Sequence, residues 1–317
     1  VSDLLTPGYH IRHPQLGDAA ALHALIVASD LAEFGESQGY GIDDAEGELQ
    51  QLDLERDAWL AIAPDGALAG YGSAQDRGHV RIDVEIYVHP AHFGQGIGTT
   101  LVRLAEARAR EHVSLAPPGA RVVIHNWINA LNADACALLE REGYIPVRYF
   151  FRMEIELNKE PSLVSWPAGF SVRSGDTGQD LRPFYQTTEE AMADHWGHVD
   201  VPFEEWRERH TGQQFDPSQW FLVRDGDEPA GAALCRISDG IGWVDTLAVL
   251  TPWRGRGLGT ALLRHAFRDF YERGIRRIAL GVDTKNPTGA TRLYEREEMR
   301  VCQQYATYGK ELRPGID

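Results

Sequence analysis

Two short stretches of the chain have the residue types of an anion cradle. Arg254 to Leu263 reads RGRGLGTALL, and Phe93 to Leu101 reads FGQGIGTTL. In both, an apolar strand-like run precedes the glycines and helical spacing follows them. Glycines at such a turn let backbone N–H groups converge without side-chain obstruction. The helix that starts there adds unpaired N–H groups and the positive end of its dipole. A phosphate suits that arrangement. The spacing is neither that of a dinucleotide fingerprint nor that of a Walker loop, which would need a Gly-Lys-Ser/Thr ending.

The two stretches lie 161 residues apart, and three further pairs share that offset. Gly8–Arg12 (GYHIR) matches Gly169–Arg173 (GFSVR), Trp59–Ile62 (WLAI) matches Trp220–Val223 (WFLV), and Gly70 matches Gly231. Later the offset is 155, where Leu139–Tyr144 (LEREGY) faces Tyr294–Met299 (YEREEM). Two units this long exclude a solenoid and predict similar tandem domains. Their boundaries are set at 1–157, a linker at 158–168, and 169–317.

Each half reads as a strand, a helical pattern, a strand pair about a tight turn, a longer strand, the glycine turn with its helix, and a β-branched strand. A helix and two closing strands complete it. Strand, glycine turn, helix, strand is a right-handed crossover, so its two strands are expected to be parallel neighbours. In the second half, Leu258, Ala261, Leu262, Ala266 and Phe270 define the buried helix face.

Composition narrows the function. At 317 residues the chain is long enough for two domains, and its 43% apolar and 25% charged content is that of a globular protein. No apolar run suits a bilayer span, and the start has no export-signal pattern, so a cytoplasmic protein is expected. A net charge of −16 argues against nucleic acid and favours a neutral or cationic substrate. Cys136, Cys235 and Cys302 are widely spaced, which argues against disulfides or zinc; no metal is expected.

The string LAVLTPWRGRGLGTALL resembles the acyl-CoA signature of the GNAT superfamily of N-acyltransferases. In that signature an Arg or Gln, two variable residues, Gly, one variable residue and Gly or Ala hold the CoA pyrophosphate. Arg254, Gly257 and Gly259 fill those places. DTKNPTGATRLYERE resembles the second signature, an Asn followed by a Tyr about two helical turns on, here Asn286 and Tyr294. The resemblance covers both halves, and the tandem arrangement resembles two-domain acetyltransferases of GC-rich bacteria. It implies an α/β fold of two tandem GNAT-like domains. Each has a mixed, mainly antiparallel sheet, a splayed parallel central strand pair and flanking helices. The implied activity is acetyl transfer from acetyl-CoA to a primary amine of a small molecule. A non-catalytic acyl-CoA-binding module is the alternative.

The resemblance also implies roles. Main chain at Leu247, Ala248 and Val249 pairs with pantetheine, and Arg254, Gly255, Arg256, Gly257, Gly259 and Thr260 form the cradle, with Asn286 nearby. Tyr294 matches the family's general acid. An alkyl ammonium is neutral in only about one molecule in a thousand at pH 7, so a base is needed. Asp245, on the strand leading to the cradle, is the candidate. His195 and Trp196 lie in a segment that in this family borders the acceptor pocket. Asp283 is placed to cap a helix or meet substrate.

In the first half Phe93 stands where Arg or Gln is expected, and Leu139 stands where Tyr294 does. Asn132 is retained. A backbone-made cradle remains at Val88, Gly94, Gly96, Gly98 and Thr99, and the domain is expected to be catalytically silent. In the second half Glu298-Met299 replaces the Gly-aromatic pair kept as Gly143-Tyr144. That replacement is expected to alter the helix end.

Overall fold

The computed structural model describes residues 4–175, 181–212, 215–286 and 288–316. The chain divides into two compact units. One comprises residues Val1–Tyr149 and Gln304–Asp317, the other Phe150–Gln303.

The first unit starts with β1 (His10–Arg12), α1 (Ala19–Phe34) and α2 (Ile42–Gln51). The hairpin of β2 (Ala58–Ile62) and β3 (Leu68–Arg77) follows, then β4 (Arg81–Val88). The crossover helix α3 (Ile97–His112), β5 (Val122–Asn129) and α4 (Ala133–Arg141) complete this part. The next strand, β6 (Ile145–Glu156), leads away into the second unit, whose own elements repeat the pattern. They are β7 (Phe170–Ser174), α5 (Arg182–Met192), α6 (Phe203–His210), β8 (Trp220–Asp225), β9 (Glu228–Ser238), β10 (Ile241–Val249), α7 (Leu258–Glu272), β11 (Arg277–Asp283) and α8 (Ala290–Arg296). The last strand is β12 (Arg300–Arg313).

Within the first unit the sheet order is β1-β2-β3-β4-β5-β12, and within the second β7-β8-β9-β10-β11-β6. Neighbours are antiparallel except β4 with β5 and β10 with β11. Those parallel pairs are the ones the crossover helices α3 and α7 require. Pairing runs from Arg81–Val84 against Val123–Asn126 in one unit, and from Ile241–Trp243 against Arg277–Ala279 in the other. Beyond Val84 and Trp243 the parallel registers end, so each central pair splays toward its glycine turn.

Each half closes with one continuous strand rather than two, because IPVRYFFRMEIE and RVCQQYATYGKELR offer no tight turn to break them. The closing strands are also exchanged relative to the repeat. β6 pairs with β11 from Phe150 to Glu156, and β12 pairs with β5 from Tyr305 to Arg313. β12 is fastened in the first unit by Lys310, whose Nζ donates to both Glu106 oxygens at 2.7 and 2.9 Å. Arg313 donates to the carbonyls of Ala120, Val113 and Pro117.

The predicted face of α7 is the buried one: Leu258, Ala261, Leu262, Ala266 and Phe270 are each at most 4% exposed. Burying such side chains stabilises by about 1.5–3 kcal/mol apiece for the large ones. Phe270 packs so closely on β10 that a Cβ at Gly242 would lie 2.7 Å from its ring. Among the described residues no helix is long and apolar enough to cross a membrane.

Candidate active site

In the second unit, Gly255 and Gly257 adopt left-handed φ values of 75° and 84°. A side chain at either would meet nothing within 4 Å. These glycines therefore serve the backbone conformation, and they leave open space in front of it. Gly257 is the N-cap of α7 and no side chain caps the first-turn N–H groups, which stay available to an anion. Gly259 has a different task. A Cβ there would lie 3.1 Å from Leu293 Cδ1, so this glycine lets α8 pack against α7. The residues present thus fit a pyrophosphate held by main-chain groups, with the Arg256 side chain exposed at the rim.

Arg254 reaches back into the fold. Its Nε donates to the Val249 carbonyl at 3.0 Å and an Nη to the Ala191 carbonyl at 3.3 Å. It braces the end of β10 against the end of α5 and so shapes the turn. Across β10, Leu247, Ala248 and Val249 pair with Ala233, Ala232 and Gly231 of β9. The Val249 carbonyl is thus already engaged by Arg254. Asp245 sits where the β10 register slips between Val244 and Thr246, is exposed, and pairs with Arg236 at 3.1 Å.

Tyr294 lies on α8 and is 7% exposed. Burial pushes its phenol up to about 12, and its hydroxyl has no hydrogen-bond partner among the described residues. Such a group is protonated at neutral pH and can donate.

His195 and Trp196 lie on the link between α5 and α6, beside Gly197 at φ 74°, not within a helix. Trp196 meets the Phe150 ring at 6.2 Å. Asn286 Oδ1 accepts from the Thr288 N–H at 2.8 Å and from its hydroxyl at 2.6 Å. This turns Asn286 Nδ2 toward His195 Nε2, 3.2 Å away. A donor facing Nε2 makes it the lone-pair nitrogen, so the ring proton sits on Nδ1. That atom is buried with no partner among the described residues. Burial, with the nearby Arg254 charge, holds His195 below its usual range and therefore neutral. Asp283 is 8% exposed and its Oδ1 accepts from the Lys285 N–H at 2.9 Å. Sequence reasoning named these residues separately; the fold brings His195 and Asn286 into contact. Trp206, in the same stretch of sequence, instead joins a structural aromatic cluster with Tyr185, Phe203, His210 and Trp220.

The first unit keeps the backbone and changes the surroundings. Gly94 and Gly96 have φ values of 77° and 79°, and a Cβ on Gly98 would lie 3.0 Å from Leu138 Cδ1, as at Gly259. At Gly96, however, a side-chain carbon would fall 2.0 Å from the Leu4 carbonyl oxygen. The Thr6 N–H donates to the Gln95 carbonyl at 3.2 Å. The chain's own residues Leu4–Thr6 therefore lie against this turn. Ser29 Oγ of α1 lies 3.4 Å from the Val88 carbonyl, the counterpart of Val249, and has the Leu25 carbonyl as its nearer acceptor at 3.0 Å. Phe93 stands 60% exposed in the arginine's place. Leu139 is 3% exposed in the core, and Asn132 caps α4 through the Ala135 N–H.

In the first unit sequence reasoning missed the carboxylate of Glu48. Glu48 of α2 accepts from the Tyr71 hydroxyl at 2.6 Å and the Tyr40 hydroxyl at 2.7 Å. Burial pushes its carboxyl up, partly offset by those donors. Glu85 stands opposite Ser73 in the β3–β4 register, at the first residue past the splay. Solvent reaches it, yet crowding by protein and the neighbouring Glu48 and Asp83 charges push its carboxyl up to about 8. The one available signal was the acidic residue on the inward side of α2, between Ala45 and Leu49.

The chain did not bear out one expectation about α8. Glu298 takes φ +67°, matching Gly143 at +85°. The Met299 N–H bonds the Tyr294 carbonyl at 3.0 Å, as Tyr144 N–H bonds the Leu139 carbonyl at 3.0 Å. The helix end is unchanged because tertiary and hydrogen-bond context holds a glutamate in a glycine conformation.

Two units, each with a splayed parallel pair ending in a glycine cradle, define an acyl-CoA N-acyltransferase architecture. The profile of the acetyltransferase (GNAT) family matches twice, at residues 22–144 and 180–298, and the chain belongs to that family. It is an acetyl-CoA-dependent N-acetyltransferase. The mycothiol acetyltransferase of Geodermatophilus obscurus is 29% identical over 248 residues, spanning 75% of this chain and 77% of its own. That of Streptomyces avermitilis is 29% identical over 289 residues, spanning 88% and 87%. A GCN5-related N-acetyltransferase from Sphaerobacter thermophilus is 36% identical, with a TM-score of 0.84 over 99% of this chain and 98% of its own. A tandem GNAT protein from the clavulanic acid biosynthesis pathway shares the fold at 15% identity, with a TM-score of 0.72 over 97% and 100%.

Proposed function

We propose that the second unit performs the transfer, moving an acetyl group from acetyl-CoA to the primary amine of a small polar molecule. The names of the mycothiol acetyltransferase relatives support an acceptor of that size and polarity. The acidic chain favours a cationic one.

Bound acetyl-CoA supplies the activated thioester. The N–H groups of the α7 first turn, around Gly257, Leu258, Gly259 and Thr260, hold the pyrophosphate, and Arg254 keeps the turn in shape. The free edge of β10 near Leu247, Ala248 and Val249 aligns the pantetheine arm. His195, Trp196 and Asp283 border the acceptor, with His195 oriented by Asn286. The amine must lose a proton before it attacks, which costs roughly 4–5 kcal/mol for a group of pKa about 10.4 at pH 7. Asp245 takes that proton, the incoming ammonium replacing Arg236 as its counter-charge. As the C–N bond forms and the C–S bond breaks, the sulfur takes its proton from Tyr294.

The observation that carries this reading is the Tyr294 hydroxyl on α8, protonated and without a partner among the described residues, opposed by a buried leucine at the same place in the first unit. Tyr294→Phe keeps the ring and removes the proton. Steady-state kinetics with a small primary amine should show kcat reduced by about 10- to 100-fold. The KM for acetyl-CoA should stay within about twofold. An unchanged kcat would remove Tyr294 from the chemistry.

A further inference from the structure

Asp76 lies at the end of β3, His79 in the turn to β4, and α3 ends at His112. In the fold these three side chains converge. His79 Nδ1 lies 2.7 Å from Asp76 Oδ2 and 2.9 Å from His112 Nδ1, and His112 Nδ1 lies 3.6 Å from the same Asp76 oxygen. The turn is fixed from behind. His79 is a non-glycine residue at φ +60°, and its N–H donates to the other Asp76 oxygen at 2.7 Å. His112 is 4% exposed, while the side chains of His79 and Asp76 are 39% and 27% exposed, so the cluster opens to solvent on one side.

One imidazole proton satisfies this triangle poorly. A neutral imidazole carries one N–H, so Nδ1 of His79 is either a donor or a lone pair. As a donor it shares one hydrogen between two short contacts whose directions diverge by about 80°, so both bonds cannot be straight. As a lone pair it faces the Asp76 oxygen lone pairs at 2.7 Å. A cation resolves both cases. The three donor atoms define a circle of radius about 1.8 Å, inside the roughly 2.0–2.1 Å of Zn–N and Zn–O bonds. One point therefore lies at bonding distance from all three.

We infer that Asp76, His79 and His112 form a divalent transition-metal site of the zinc class, with three protein ligands and an open position for water. Two imidazole nitrogens select zinc, cobalt or nickel over magnesium and calcium, which take oxygen sets. The site joins the β3–β4 turn to the C-terminal end of α3, the helix whose other end carries the first glycine turn. Its role is to clip that helix to the sheet. Cysteine counting could not reveal it, because its ligands are two histidines and an aspartate.

The full chain, stripped with a chelator and dialysed, is titrated with Zn2+ by calorimetry and with Co2+ by visible absorption. One metal per chain is expected, with the intense absorption of a low-symmetry Co2+ site and a metal-dependent rise in Tm. Mg2+ and Ca2+ should give neither. His79→Ala, at the exposed ligand, should weaken Zn2+ binding at least about 100-fold and abolish the Tm response. Its metal-free Tm should stay close to that of the stripped parent, which shows that the variant is folded. His198→Ala disrupts a second grouping of potential ligands among the described residues, Glu189, His198 and Asp200, and should leave the binding intact. Absence of Zn2+ binding by the parent at tens of micromolar overturns the inference. So does binding that survives His79→Ala, or binding lost with His198→Ala.

Discussion

At Gly257 a left-handed residue faces open space; at Gly96 an equally left-handed residue faces the Leu4 carbonyl. The two turns share their φ values, their helix and the close helix–helix contact at Gly259 or Gly98. They differ in everything that meets the turn from outside. One has an arginine brace and an exposed arginine at the rim, the other an exposed phenylalanine and a covering segment of its own chain. One has a buried tyrosine hydroxyl on the following helix, the other a leucine methyl in the core. The backbone of an anion cradle is thus a cheap feature to retain, since it also terminates a strand and starts a helix. The groups that make it useful are separable from it.

The largest effect that could break this comparison comes from Gly257→Glu. It puts an L-residue at φ +84° and a carboxylate where a pyrophosphate is proposed to bind. Calorimetry should show acetyl-CoA affinity falling by about 100-fold or more, equivalent to some 3 kcal/mol. Gly257→Ala isolates the backbone component, about 1–2 kcal/mol. If Gly257→Glu binds as tightly as the parent, the second turn is not the cradle, and the contrast between the units loses its meaning.

A smaller effect is expected in the first unit. Deleting the first six residues removes Leu4–Thr6 from the turn at Gln95 and Gly96. Titration should then report a second, weaker acetyl-CoA site, with kcat per chain unchanged because Leu139 cannot donate a proton. A stoichiometry that stays at one would mean that the first turn is purely structural even when uncovered.

The parts of this contrast that were legible in sequence are those whose chemistry is local. A left-handed turn before a helix demands glycine, so both turns announced themselves, as did the leucine in place of Tyr294. The apolar face of α7 followed from 3.6-residue spacing, and the parallel pairs followed from crossover handedness. What stayed hidden depends on partners far apart in the chain. The exchange of β6 and β12 leaves no trace in a repeat, because each strand keeps the same local pattern whichever sheet it completes. The approach of Ser29 to Val88 and the covering of Gly96 by Leu4 join ordinary residues with no motif. His195 and Asn286 were each identified, but their contact spans 91 residues and rests on a side-chain amide orientation set by Thr288. The α8 end was misread for the opposite reason: local preference excluded Glu298 from a conformation that its surroundings impose.

That position gives the smallest and sharpest test. Glu298 is exposed, and no partner among the described residues engages its side chain. Its φ of +67° is therefore strain without a compensating contact. Relieving a left-handed L-residue gains about 1–2 kcal/mol, and glycine's greater freedom in the unfolded chain returns about 0.5–1 of it. Glu298→Gly should raise stability by roughly 0.5–1 kcal/mol in chemical denaturation and leave kcat alone, since the Met299–Tyr294 bond already has its final geometry. The reciprocal Gly143→Ala should have the opposite sign. A Cβ there meets only Lys310 at an unstrained 3.7 Å, so its cost is that of the backbone. If Glu298→Gly destabilises instead, the glutamate is held by an attraction rather than tolerated. The two helix ends would then be alike in shape for different reasons. If kcat changes as well, the end of α8 sets the position of Tyr294, and the difference between the units extends to how the acid is placed.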